Sequence, residues 1–290
     1  MIFEGIATAL ITPFCDSGVD IKAFERILDY QCQNGVDAVV VLGTTGEPAT
    51  MSDKEKEEVI SVAVSRLKGK IPVIVGAGSN CTEHAIKACK NAERLGADGL
   101  LVVTPYYNKC TQEGLVEHYG AIAKSTALPI ICYNVPSRTG VNMLPCTFAE
   151  LAHKYDNIVA VKEASGNIEQ IEQYLRLAGE KAVYSGDDAL AAATTAMGGK
   201  GVISVASNVF PAYFAKMTHL ALDGDMKAAS KMQLEALPLI SALFCEVNPI
   251  PVKKAMQIKG FCSGNLRLPL TELTPKNTQT LQALLAHFPE

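Results

Sequence analysis

The strongest constraint on the fold is a recurrence of eight short apolar runs over the first two thirds of the chain. They are GIATALIT (5–12), AVVVLGTT (38–45), PVIVGAGS (72–79), GLLVVTPY (99–106), PIICYNVP (129–136), IVAVKEAS (158–165), AVYSGDD (182–188) and GVISVASN (201–208). Each is too short for a typical helix and too uniformly apolar for a strand with one wet face, which is the pattern of parallel strands covered on both sides. Helical spacing fills the gaps, as in Ile21, Phe24, Leu28 and Cys32 on a stretch ending near Gly35. Ser52 and Glu55 form a capping box ahead of Val59, Val62, Ala63 and Leu67, with Gly69 placed to end that helix. Run starts lie 19 to 34 residues apart. Eight such units point to an α/β fold, a closed (β/α)8 TIM barrel, over an open doubly wound sheet. Residues 1–209 are expected to form the barrel. Residues 210–290 are expected to form a C-terminal helical region packed on it as one structural unit, with loops at NPIP (248–251) and at 267–269.

Composition removes several classes of function. With 26 basic and 30 acidic side chains the formal charge is −4, whereas a nucleic-acid binder is normally basic. The 48% hydrophobic content raises the question of a membrane. Yet the longest stretch free of charge, residues 201–215, contains Pro211 and falls short of the roughly 18 residues a span requires. Glu4 stands where a secretory leader would carry a basic residue, so the opening MIFEGIATALITPF reads as a first strand. Nine cysteines without a C-x-x-C are expected to be free thiols in a reducing cytoplasm. The five histidines show no local metal-ligand spacing, and no P-loop, dinucleotide fingerprint or nucleophile elbow occurs. Neither a metal nor a diffusible cofactor is expected.

In such a barrel the active site lies at the C-terminal ends of the strands. Reading those ends gathers Thr44 and Thr45, Ser79 and Asn80, Tyr106 and Tyr107, Tyr133 and Arg138, Lys162 and Glu163, and Asp187 and Asp188. Lys162 is the most informative, because it follows four apolar residues directly into the barrel interior, where burial depresses a lysine pKa. A neutral amine there is a nucleophile toward carbonyls and forms Schiff bases. The alternative is a lysine paired with Glu163 or with a carboxylate of the next strand. Tyr133, one strand earlier, offers a phenol as proton carrier, or is an ordinary core tyrosine. GTTGE (43–47) can present backbone N–H groups to a small carboxylate, or simply start a helix. Arg138 can grip a carboxylate in two places, or stand solvated in its loop.

At GTTGE, YNVPSRTG (133–140) and VKEASG (161–166) the chain resembles the pyruvate-dependent lyase family that contains dihydrodipicolinate synthases and N-acetylneuraminate lyases. The likeness runs from ITPF through VTPYYN and SGDD to NPIPVK and LRLPL, which is essentially the whole chain. The resemblance implies condensation of pyruvate with L-aspartate 4-semialdehyde to 4-hydroxy-tetrahydrodipicolinate, on the diaminopimelate route to lysine. It implies a Schiff base on Lys162 and a proton path through Tyr133, Thr44 and Tyr107, with Tyr107 supplied by a neighbouring subunit of a homotetramer. Thr45 would hold the pyruvate carboxylate, main-chain groups at Gly186 and Ile203 would line the site, and Arg138 would receive the semialdehyde carboxylate.

Arg138 also separates branches of the family. Lyases acting on sialic acid carry a non-basic residue in the matching loop, so the arginine favours the synthase. In feedback-inhibited members lysine binds at residues matching Ala49, Asn80 and Tyr106, with a glutamate where this chain has His84 and histidines where it has Asp53 and Lys56. Loss of that glutamate removes the natural partner of an ammonium group, so inhibition by lysine is expected to be weak or absent. Two other readings stay open: an aldolase of the same family acting on sialic or 2-keto-3-deoxy sugar acids, and a non-catalytic keto-acid sensor.

Overall fold

The computed structural model describes residues 1–289. Eight strands, β1 (Gly5–Ala9), β2 (Ala38–Val41), β3 (Val73–Gly76), β4 (Gly99–Val103), β5 (Ile130–Asn134), β6 (Ile158–Glu163), β7 (Ala182–Ser185) and β8 (Gly201–Ser204), close into one barrel with β8 beside β1. Every neighbouring pair is parallel. The strands begin within one residue of the expected runs and end two to four residues before them. The ladder stops where the chain turns into loops at the barrel mouth. Those loops are themselves buried, at Leu10, Leu42, Ala77, Val135 and Val205, which is why the apolar pattern outlasts the strands.

Each strand feeds a helix: α1 (Ile21–Gln33), α2 (Asp53–Leu67), α3 (Thr82–Arg94), α4 (Gln112–Ala123), α5 (Pro145–Lys154), α6 (Ile168–Leu177), α7 (Ala191–Ala196) and α8 (Pro211–Leu222). The Ser52–Glu55 capping box is complete in both directions at the start of α2. The eighth helix, α8, begins beyond residue 209 and packs on β1. Three more helices follow, α9 (Met226–Leu243), α10 (Ile250–Ile258) and α11 (Pro275–His287), layered on α8 and on each other. One expected loop is shorter than its prolines suggest. Ile250 and Pro251 form the first turn of α10, where a missing N–H leaves no helical bond unmade.

Side-chain alternation along the strands sorts residues into two layers. Ala7, Val40, Ile74, Leu101, Ile131, Ala160, Tyr184 and Ile203 fill the barrel, and a larger apolar layer lies between strands and helices. Phe3 stacks on Tyr184 with ring centroids 4.3 Å apart, filling the barrel interior from the N-terminal side. The β1–β8 seam is polar and fully buried. Thr8 donates to Gln31 Oε1 at 2.7 Å, Gln31 donates to the Asn208 carbonyl, and Asn208 bonds the main chain at Ala9 and Ile11. Among the described residues no helix is long and apolar enough to cross a membrane.

Candidate active site

Lys162 and Glu163 are adjacent in β6, so they point to opposite faces. Glu163 accepts from Asn134 Nδ2 at 2.8 Å and from the Ser165 N–H at 2.7 Å, and is therefore not the partner of Lys162. Lys162 is only 5% exposed and lies in register with Tyr133 on β5 and Tyr184 on β7. Its Nζ stands 4.3 Å from the centre of the Tyr133 ring. Burial pushes its pKa down to about 8, with the Arg138 charge acting in the same direction and Asp188 opposing. Desolvation outweighs the Asp188 charge, whose carboxylate makes its hydrogen bonds elsewhere, Oδ2 accepting from the Val205 and Ala206 N–H groups at 2.9 and 3.1 Å.

The space around this amine is defined by what Gly186 omits. A Cβ there would lie 2.9 Å from Lys162 Cε and 2.6 Å from Ala164 Cβ, so any side chain would displace the lysine. Ile203, on β8, is buried in the same interior layer. Burial raises the Tyr133 pKa, with the Arg138 charge and a hydrogen bond with Thr44 opposing. A phenol so placed can move a proton to and from a group bound at Lys162.

Thr44 and Thr45 sit in a 3-10 turn after β2, bracketed by two residues with left-handed backbone, Leu42 and Glu47, each at φ 56°. Non-glycine residues hold this conformation only where the surroundings impose it. Here the far end is imposed by an ion pair: Glu47, on the turn, meets Lys253 of α10, which is 0% exposed. The Lys253 amine also lies 4.0 Å from the centre of the Phe14 ring, whose other cation is Arg267 at 4.1 Å. Arg267 in turn pairs with Glu55 of the capping box. A second tie holds the turn, since Asn248 Nδ2 donates to Thr45 Oγ1 at 3.0 Å.

Arg138 stands exposed in the one-turn helix Pro136–Thr139 after β5, and its guanidinium donates to the Asn248 carbonyl at 3.3 Å. The structure thus brings Lys162, Tyr133, Thr44, Thr45, Arg138, Gly186 and Ile203 to one mouth. Tyr107 is not gathered with them. It is 90% exposed with φ 71°, and its phenol makes no hydrogen bond among the described residues. Ala49, Asn80, His84 and Tyr106 lie on the loops after β2, β3 and β4 and in the first turn of α3, half-buried or exposed. Near His84's helix the exposed Asp53 carboxylate is shared by Lys56 and Lys87, at 3.9 and 3.7 Å. Asn248, Glu47 and Lys253 were not among the candidate residues. NPIPVK and GTTGE mark where they lie, but no spacing links two segments more than 200 residues apart.

Comparison with known proteins agrees along the full length. The model of the Dihydrodipicolinate synthetase family matches residues 2–288. A 4-hydroxy-tetrahydrodipicolinate synthase of Thermoanaerobacter sp. (strain X514) is 47% identical over 288 residues, covering 99% of this chain and 97% of that protein. The crystal structure of the dihydrodipicolinate synthase from Thermotoga maritima superposes with a TM-score of 0.97 at 45% identity, covering 99% of this chain and 98% of that one. The chloride-inhibited dihydrodipicolinate synthase from Acinetobacter baumannii, complexed with pyruvate, superposes with a TM-score of 0.96 at 41% identity, covering 99% and 98%.

Proposed function

Because the chain belongs to the dihydrodipicolinate synthetase family and its activity is that of a 4-hydroxy-tetrahydrodipicolinate synthase, we propose that Lys162 carries the reaction and that the groups around it divide the remaining steps. The observation that supports this most is a buried amine standing 4.3 Å from the centre of the Tyr133 ring at the mouth of the barrel, where burial pushes its pKa down to about 8. The neutral amine attacks the ketone carbon of pyruvate, and the ketone oxygen leaves as water. The resulting iminium draws electrons from the adjacent methyl, which gives up a proton to become an enamine. That carbon attacks the aldehyde carbon of L-aspartate 4-semialdehyde, whose oxygen takes up a proton. The amino group of the condensed product then displaces Lys162, closing the ring and freeing the enzyme.

Tyr133 moves the protons, in contact with Thr44. Thr45 and the turn around it receive the pyruvate carboxylate, and Arg138 receives that of the semialdehyde. Tyr107 completes the path of a neighbouring chain. Its near-complete exposure supports that assignment, which requires at least a dimer, and the family likeness extends it to a homotetramer built of two dimers. The enzyme works in the cytoplasm, where its nine free thiols stay reduced. Lysine inhibits it weakly or not at all, since His84 offers no anion to an ammonium group.

Two measurements test these roles. The rate constant kcat/KM for pyruvate should rise with pH and bend near 8, because the free amine is about a tenth of the total at pH 7 and half of it at pH 8. A profile that stays flat from pH 6.5 to 9 contradicts a titrating Lys162. Arg138→Gln should leave the borohydride-trapped pyruvate adduct intact and lower kcat/KM for the semialdehyde roughly 10²-fold, the usual effect of removing one member of a charged pair. An equal loss on both substrates would place Arg138 elsewhere in the reaction.

A further inference from the structure

Asn248 is a buried polar residue to which the scheme above gives no task. Its side chain is 8% exposed, its Nδ2 donates to Thr45 Oγ1 at 3.0 Å, and its main-chain oxygen accepts from Arg138 at 3.3 Å. Its Oδ1 is buried with no hydrogen-bond partner among the described residues.

The direction of that contact decides its use. An amide N–H can only donate, so the Thr45 oxygen is the acceptor and the single hydroxyl proton is left for another group. Ionised carboxylates only accept. With one of its two lone pairs engaged by Asn248, Thr45 keeps its hydroxyl proton free to donate, which is what a carboxylate requires.

We propose that Asn248 is a positioning residue that joins the two carboxylate sites: its side chain sets Thr45 as a hydrogen-bond donor to pyruvate, and its main-chain oxygen anchors Arg138 toward the second substrate. This rests on the assignment of Thr45 to the pyruvate carboxylate. The two halves are separable, because substitution removes the side chain and leaves the main-chain oxygen in place.

The test is steady-state kinetics with each substrate varied, on variants whose melting curves show a folded protein. Asn248→Ala should lower kcat/KM for pyruvate roughly tenfold and change that for the semialdehyde by less than about threefold. Asn248→Asp has nearly the shape of the native residue yet accepts the Thr45 proton instead of donating, and adds a negative charge, so it should be roughly tenfold worse than the alanine variant for pyruvate. A purely structural role gives the opposite order, with the void worse than the isostere.

The coupling is measured separately, without the aspartate variant. In a Thr45→Val background, Asn248→Ala should have no further effect on pyruvate, whereas in Thr45→Ser, which keeps the hydroxyl, its roughly tenfold effect should persist. If Thr45→Val itself leaves kcat/KM for pyruvate unchanged, the assignment of Thr45 fails and the inference falls with it. If Thr45→Val is impaired but the two substitutions act independently, or if aspartate matches alanine, the inference alone is overturned.

Discussion

Replacing Lys162 with methionine should abolish synthase turnover, by at least about 10⁴-fold, while leaving a protein more stable than the parent at neutral pH. The loss follows from removing the amine proposed to bond pyruvate, for which, among the described residues, no second buried amine stands in the barrel mouth. Lys253, the other buried lysine, is already bound to Glu47. The gain follows from the pKa. An amine lowered from 10.5 to about 8 on folding is one whose charged form the barrel disfavours, by roughly 3 kcal/mol at most. Below pH 8 both folded and unfolded chains carry the proton and that penalty is present in full. Between 8 and 10.5 the folded chain sheds the proton first, and above 10.5 the penalty is gone. Methionine keeps the volume and loses the charge, so the stabilisation should be about 1–3 kcal/mol at pH 7 and fade toward pH 10.5. Thermal melts of both proteins across that range, beside coupled turnover at pH 8, check the two halves. A methionine variant that is less stable at pH 7, or that keeps measurable turnover, would be inconsistent with a desolvated catalytic amine.

The second large effect lies away from the chemistry. Lys253→Met should destabilise the fold by roughly 3–5 kcal/mol, the cost of leaving one member of a fully buried ion pair without its partner. Glu47 would then remain on a left-handed residue of the turn that carries Thr44 and Thr45, its carboxylate left with the main-chain N–H of Arg267 at 3.4 Å and the more distant Arg267 charge. Urea unfolding measures the loss, and the double variant Glu47→Gln, Lys253→Met should recover part of it, since the stranded charge is then gone. Additive losses in the double variant would mean that the two residues act separately. Pyruvate affinity is expected to suffer with stability in the single variant, because the same pair fixes the turn that carries Thr44 and Thr45.

What could be read from the chain and what could not divides along physical lines. Buried parallel strands are apolar on both faces, so their starts are plain, and the register of a closed barrel then carries Tyr133 and Lys162 to neighbouring positions. The strand ends are less plain, since buried mouth loops such as Leu42 and Val135 continue the apolar pattern after the ladder stops. Prolines at 249 and 251 read as a loop, yet proline is at home in the first turn of a helix, and Pro251 stands there. The family resemblance alone suggested roles for Gly186 and Ile203, which no local pattern sets apart from ordinary turn and core residues. The links from α10 to the substrate turn were not legible at all. Asn248 meets Thr45 across 203 positions and Lys253 meets Glu47 across 206, and one chain carries no periodicity that couples such distances. Tyr107 is a different case, since the role proposed for it lies in a neighbouring copy and the single chain leaves it 90% exposed.

The central claim is that pyruvate bonds to Lys162, and borohydride trapping tests it most directly. The full-length protein is incubated with pyruvate, reduced, digested and analysed by mass spectrometry for the modified residue. The expected result is a single reduced pyruvate adduct on Lys162 that needs no semialdehyde and is missing from Lys162→Met. An adduct on another lysine, or none at all in protein that turns over, would contradict the account.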